Sequence, residues 1–306
     1  MIPLIYHQIY SQLMLPSQHR YPINKYRLLH EAVVERRRQN ALWEQGFSFF
    51  EPKPLDIETI KQVHDAQYVD ALVTGTLPAA KMRRIGFPWS EKLIERTRIS
   101  AGGTCLTATL AAQHGIAIHL SGGYHHAHHD FGSGFCLFND LVLAATAALE
   151  LPTIGKVLIV DSDVHHGDGT ATLCASHHEI ITLSFHCDKN FPARKPNSTI
   201  DIALPKQANG DEFLAEFCSA VTTAFHLYQP DLVIYDAGVD IHQDDELGYL
   251  NVSHQAIKQR DVFMLSLCQQ EDIPVACVVG GGYRSDHQTL VPLHMSLLEA
   301  AEAVFL

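Results

Sequence analysis

The sequence predicts an α/β fold around a mostly parallel sheet that is buried on both faces. Three observations carry that expectation. From residue 117 onward, short apolar runs alternate with helix-like stretches, the pattern of parallel strands joined by crossover helices. The runs are continuously apolar, as in Val157-Leu158-Ile159-Val160, which suits strands covered on both sides. The chemistry-bearing clusters then follow the carboxyl ends of these runs, where open parallel sheets place their ligand crevice.

Taken in order, residues 3–7 read as a first strand and residues 25–40 as a helix. The basic end of that helix, Arg36-Arg37-Arg38, complements its macrodipole. Glu51-Pro52-Lys53-Pro54 is a break, residues 56–73 are helical in pattern, and residues 75–88 read as loop. Ser90 is placed as the N-cap of a further helix. Gly102-Gly103 invite a break or close packing before an apolar helix over residues 104–113. Strands are expected at residues 117–120, 156–161, 179–184, 231–235 and 274–279. Helices are expected at 139–150, 211–227, 253–269 and 290–304. No internal repeat, low-complexity tract or long linker is visible, so residues 1–306 are expected to form one domain.

Composition narrows the function classes. A chain that is 46% hydrophobic over 306 residues can bury a large core. Its net charge of −12 argues against a nucleic-acid surface, which needs clustered Lys and Arg, and is compatible with a cationic small substrate. Seven cysteines scattered singly, with no C-x-x-C pair, suit a reduced intracellular protein. No secretory signal is visible, and no apolar run approaches the roughly 20 residues that a membrane span needs. A cytoplasmic protein with no membrane or nucleic-acid partner is expected; the sequence leaves its oligomeric state open.

The chain's chemistry concentrates in Asp161-Ser162-Asp163-Val164-His165-His166-Gly167-Asp168-Gly169. In extended backbone, Asp161, Asp163 and His165 share one face and His166 takes the other. Two carboxylates and an imidazole at a strand end point to metal-ligand or acid/base chemistry. A catalytic zinc takes about three protein ligands and leaves a position for water. Asp163 and His165 supply two such ligands, and Asp240, after the strand at 231–235, is the natural third. That donor set suits Zn²⁺ or Fe²⁺. His125-His126, after Gly122-Gly123, suggest an acid/base pair tuned by carboxylates. His128-His129 and His177-His178 are expected to face solvent or their own loops. Tyr283, after Gly280-Gly281-Gly282, suits a hydrogen-bond donor to an oxyanion. The glycine run lacks the context of a phosphate loop.

These motifs resemble the zinc-dependent histone deacetylase superfamily. The resemblance rests on Gly122-Gly123-Tyr124-His125-His126-Ala127, Gly134-Phe135-Cys136, residues 161–170, Gly238-Val239-Asp240 and Gly280-Gly281-Gly282-Tyr283. His19-Arg20-Tyr21-Pro22, His64-Asp65-Ala66-Gln67-Tyr68-Val69, Arg84-Ile85-Gly86-Phe87-Pro88-Trp89 and Asp244-Asp245-Glu246-Leu247-Gly248 look most like class IV members and their bacterial relatives. The resemblance implies a three-layer α/β/α sandwich of the arginase/deacetylase kind with a central, mostly parallel sheet. It also implies hydrolysis of an N-acyl amide, typically on lysine, removing acetyl or longer acyl groups. Zinc (or Fe²⁺) would be held by Asp163, His165 and Asp240. His126 would serve as base and then acid, and Tyr283 would donate to the oxyanion. Asp161 would position His125 and Asp168 would position His126. Gly134, Phe135, Phe191 and Leu247 would line the channel for the lysine methylenes. A K⁺ ion would lie near Asp161, Asp163, His165, Ser184 and Phe185, partly on main-chain oxygens.

Departures are Tyr124, where many relatives carry Trp or Phe, and the histidine-rich His128-His129-Asp130. The long extra segments of regulatory eukaryotic members are missing, which leaves partner recruitment and a dedicated histone role open. Alternative readings are a deacetylase of small acylated amines such as acetylpolyamines, and a catalytically silent binding protein on the same fold. A two-manganese ureohydrolase would need more aspartate ligands.

Overall fold

The computed structural model describes all 306 residues, from Met1 to Leu306. Eight parallel strands form one sheet in the order β2-β1-β3-β8-β7-β4-β5-β6. They are β1 (Ile2–Ile5), β2 (Phe47–Phe50), β3 (Ile116–His119), β4 (Val157–Asp161), β5 (Ile180–Cys187), β6 (Ile200–Leu204), β7 (Leu232–Asp236) and β8 (Val275–Val278). Around the sheet lie α1 (Lys25–Gln39), α2 (Ala41–Gly46), α3 (Ile57–Lys61), α4 (Ala66–Val73), α5 (Ala79–Ile85) and α6 (Glu91–His114). They are followed by α7 (Asp140–Leu149), α8 (Asp168–Cys174), α9 (Gly210–Tyr228), α10 (His254–Gln270) and α11 (Val291–Phe305). The sequence expectation of a layered α/β fold with a parallel sheet holds. No helix is long and apolar enough to cross a membrane, and all seven cysteines are free.

The strand chemistry explains the layering. Every residue of β3, β4, β5, β7 and β8 is buried, so both sheet faces must be covered by helices. The edge strand β6 instead leaves Asp201 and Ala203 exposed, as an edge facing water on one side does. That mixed burial, and the half-buried Ser48, Phe49 and Phe50 of β2, made both edge strands invisible in the sequence.

Four helical expectations need correction. Residues 56–73 form two helices, because His64 leaves the helical path to bridge the His128 carbonyl and the Asn139 amide. Asp65 then caps α4 by accepting from the Tyr68 amide. Residues 75–88, read as loop, contain α5, which starts after Pro78 and ends at Gly86 in the left-handed conformation (φ 93°). α2 and α8 were not foreseen; α2 is capped by Asn40, which accepts from the Leu42 and Trp43 amides. Finally, Gly102-Gly103 do not break the chain. α6 runs through them for 24 residues, from its Ser90 cap to Gly115.

The reason is close packing. A β-carbon on Gly102 would strike the Lys53 main-chain oxygen, and one on Gly103 would strike Tyr10 and His119. Helix propensity favours alanine over glycine by about 1 kcal/mol. Collision with backbone in a packed interior costs typically ~1–3 kcal/mol. Gly102→Ala is therefore expected to lower the melting temperature by calorimetry. A raised melting temperature would show that propensity wins and that the contact with Lys53 does not constrain α6.

Candidate functional site

The four polar loops follow β3, β8, β7 and β4, which are adjacent in the sheet and form its centre. Their carboxyl ends therefore open onto one crevice. The geometry there begins with the turn after β4. The strand ends at Asp161, so strand alternation does not set the positions of Asp163 and His165. Two side-chain-to-backbone bonds do. Asp161 Oδ1 accepts from the Asp163 amide (3.1 Å), and Asp163 Oδ1 accepts from the His165 amide (2.8 Å). His166 leaves the cluster, as expected, and its Nε2 meets Asp201 Oδ1 at 3.1 Å.

Asp163, His165 and Asp240 converge with their ligating atoms within 4.8 Å of one another, all buried. His165 Nδ1 lies 3.0 Å from Asp163 Oδ1 and 3.1 Å from Asp240 Oδ2. The opposite oxygens are tied to main-chain amides: Val164 donates to Asp240 Oδ1 (2.8 Å) and Gly281 to Asp163 Oδ2 (3.1 Å). Burial and the neighbouring Asp163 push Asp240 up to about 8. Burial opposes a charged His165, but both carboxylates overcome it and raise its pKa to about 10. A single Nδ1–H thus faces two carboxylates, and positive charge between them is what favours both being charged. These oxygen, nitrogen and oxygen donors fit a hard-to-borderline dication such as Zn²⁺ or Fe²⁺.

Behind the triad runs a continuous hydrogen-bonded chain. His125 Nδ1 donates to Asp161 Oδ2 (2.7 Å), and His126 Nδ1 donates to Asp168 Oδ1 (2.6 Å). The two Nε2 atoms meet at 3.1 Å. Burial works against a charged His125, but Asp161 and Asp163 outweigh it and its pKa is raised. Burial, with the charge of His125 alongside, takes His126 down to about 3 despite Asp168. The partners assign one charged and one neutral imidazole.

Tyr283 is fixed through its amide, which donates to Asp245 Oδ2 (2.7 Å), while its hydroxyl makes no hydrogen bond within the chain. Burial, then Asp163 and Asp240, raise the phenol above its usual range and keep it a donor. A cavity of about 470 Å³ reaches His126, His165 and Tyr283, and Gly134, Phe135, Phe191 and Leu247 line it. Phe135 sits at φ 68°, a strained position for an aromatic residue, held by its amide bond to the Ile85 carbonyl (2.8 Å). Phe191 is 45% exposed and packs edge-on against His126 at 4.9 Å, so it belongs to the cavity and not to the core. Asn190 latches the Phe191 loop to the Leu247 loop, donating to the Leu247 carbonyl (2.7 Å). Asp161 and Ser184 are direct register partners across β4 and β5, and Phe185 is buried against Phe213 and Phe217.

Sequence reasoning missed four residues. His128, expected at solvent or in its own loop, places Nε2 3.0 Å from Asp168 Oδ2, and Thr172 Oγ1 meets its Nδ1 at 2.9 Å. His129, its neighbour, is exposed as expected, but its Nδ1 meets the Val63 carbonyl (3.1 Å) in the α3–α4 connection and not its own loop. Asp236 is buried with neither oxygen partnered; burial, then Asp161 and Asp163, raise its pKa far above the carboxylate range. Lys25 Nζ donates to the Gly280 carbonyl (2.8 Å), and burial lowers it to about 8 against the pull of Asp240 and Asp163. Asp245 anchors Tyr283. Asp236 had a readable signal as the acid that ends the apolar run of β7, and Asp245 as part of the Asp244–Gly248 motif; Lys25 had none. The extra hydroxyl of Tyr124 is satisfied by Ser100 and Ser121 at 3.1 Å each.

Comparison with known proteins agrees with this geometry. The family model described as "Histone deacetylase domain" matches residues 19–296. An uncharacterized protein of Picosynechococcus sp. is 40% identical over 99% of both chains. Histone deacetylase 2 of Arabidopsis thaliana is 32% identical over 72% of this chain and 59% of that protein. Histone deacetylase clr6 of Schizosaccharomyces pombe is 28% identical over 87% of this chain and 68% of that protein. The chain thus spans nearly the whole length of the first relative, but less than two thirds of the Arabidopsis one.

The triad's cradle generates a prediction. A β-carbon on Gly281 would collide with carboxylate oxygens of both Asp163 and Asp240. Gly281→Ala is expected to weaken Zn²⁺ binding at least ~10-fold, the usual penalty for disturbing the groups that orient metal ligands. Titration calorimetry on metal-stripped protein measures this, with circular dichroism reporting the fold. Unchanged affinity in a folded variant would place the ion elsewhere.

Proposed function

This chain belongs to the histone deacetylase family and is a deacetylase-type hydrolase, and we propose that it is a metal-dependent N-acyl-lysine deacylase. The observation that carries the proposal is the floor of the cavity. There the rings of His126 and Tyr283 flank His165, with centroids 5.9 and 6.1 Å away, in a cavity that Phe135 and Phe191 also line. A lysine side chain is an apolar tether ending in the reacting group, and an aromatic-walled passage fits it. In this reading residues 1–306 act as one catalytic unit, class IV-like, in the cytoplasm.

The residues take the following roles. Asp163, His165 and Asp240 would hold a dication, Zn²⁺ or Fe²⁺, which would supply polarisation of the acyl carbonyl and a lowered water pKa. His126 takes a proton from the attacking water on Nε2, its hydrogen bond with His125 Nε2 giving way to the new N–H, while Asp168 holds its other nitrogen as a donor. Tyr283 donates its hydroxyl hydrogen to the carbonyl oxygen as negative charge develops there. His126 then delivers the same proton to the leaving amine as the carbon–nitrogen bond breaks. His125, paired with Asp161, holds positive charge next to His126 and keeps it neutral until the proton arrives. A structural K⁺ is proposed at Asp161, Asp163, His165, Ser184 and Phe185, supported by the pairing of Asp161 with Ser184.

Tyr283→Phe and His126→Ala are each expected to cost at least ~10²-fold in kcat on acetyl- to long-chain acyl-lysine peptides, with the metal retained. Near wild-type turnover in either variant removes that residue from the mechanism. Chelation is expected to abolish turnover in the wild type and Zn²⁺ or Fe²⁺ to restore it; full activity after complete metal removal would overturn metal dependence.

A further inference from the structure

The rim of the cavity is charged against the grain of the chain. Acidic residues outnumber basic ones 34 to 22 overall, yet Arg20, Arg84 and Lys189 line the cavity and no Asp or Glu does. We infer that the substrate presents a carboxylate beside its acyl-lysine side chain, received by Arg20 and Arg84. This rests on the deacylase reading above and specifies its substrate class.

The two arginines are available and held in place. Neither makes an ion pair or a side-chain hydrogen bond. Arg84 lies over the Phe131 ring at 3.9 Å, which fixes the guanidinium plane and leaves its N–H edge free. It directly precedes Ile85, whose carbonyl holds the channel residue Phe135. Arg20 follows His19, which bonds the Gly86 carbonyl (2.8 Å) and stacks on Phe87. Both arginines are therefore anchored to the same stretch of rim. Lys189 is offset by Asp188 at 2.6 Å, so the net charge comes from the arginines. Glu246 feels the charge of Arg20 but is held by the Ser285 amide and hydroxyl and forms no ion pair with either rim arginine.

Guanidinium groups favour carboxylates through paired N–H donors. An acylated polyamine would bring further ammonium groups to this rim and meet no anion, which disfavours the small-amine alternative. The carboxylate has two sources, an acidic residue flanking the lysine or the α-carboxylate of a terminal or free acyl-lysine.

The test compares kcat/KM for one acetyl-lysine peptide flanked by Glu, Gln or Lys, for acetyl-lysine with a free or amidated α-carboxyl group, and for acetylspermidine. A Glu-over-Lys or acid-over-amide preference of about five- to tenfold is expected, the size of two exposed ion pairs, carried by KM and reduced at high salt. The first preference identifies an acidic flank, the second a terminal or free lysine. In the Arg20→Gln/Arg84→Gln variant the preference is expected to fall to about one. Equal rates across both series, faster cleavage of the Lys-flanked peptide or of acetylspermidine, or a preference that survives the double variant would overturn the inference while leaving the deacylase reading in place. No cleavage of any acyl-lysine would overturn that reading itself, and this inference with it.

Discussion

The site depends on one costly feature, the burial of acids side by side. Asp140, Asp161, Asp163, Asp168, Asp236 and Asp240 are all at most 4% exposed, at the carboxyl edge of a single sheet. A buried carboxylate without compensation is expensive, and several together are more so. Each has a different answer. Asp161 has His125, Asp168 has His126 and His128, and Asp140 accepts from Thr104 and from the amides of Gly123 and Tyr124. Asp236, with no partner and glycines pressed against it, escapes the cost only as a neutral acid. Asp163 and Asp240 remain, with one imidazole between them, and a dication is the compensation their geometry is shaped for.

That edge also explains why the chain approaches so closely there. The loops after β3 and β8 reach the acids through glycines because no side chain fits. A β-carbon on Gly123 would meet Asp236, and one on Gly280 would meet both Asp236 and Gly238. The glycine runs thus serve the packing of carboxylates and not the cradling of a phosphate.

Much of this was legible in the sequence because strand core and strand end differ so sharply in chemistry. The runs of β4, β7 and β8 are apolar on both faces and stop at the residues that bear function. What was not legible has local causes. Edge strands carry half-exposed patterns, and α5 is short and hidden between Pro78 and Gly86. The grouping of Asp163 with His165 was foreseen for a reason that does not apply, since the strand has ended and turn hydrogen bonds preserve the two-residue spacing instead. His128 could not be placed, because its partner Asp168 lies 40 residues away and no local pattern connects them.

The Asp161–His125–His126–Asp168 chain looks symmetric as a list of residues, yet its two halves behave oppositely. Asp161 and the neighbouring Asp163 place negative charge around His125, which outweighs its burial and raises its pKa. A dication at the triad would cancel the share of Asp163 and leave Asp161 as the partner of His125. Asp168 divides its two oxygens between His126 and His128, so His126 receives only part of one carboxylate while facing the charge of His125 at 3.1 Å. Like charges that close are costly in a buried site, so the second imidazole is the neutral one at rest and is poised to pass on any proton it takes up. Two identical side chains thereby differ in charge through their surroundings, which supports the separate roles proposed for them. The proposed role of His126 as the base, already implied by the family resemblance, is supported by which aspartate is shared and which is crowded.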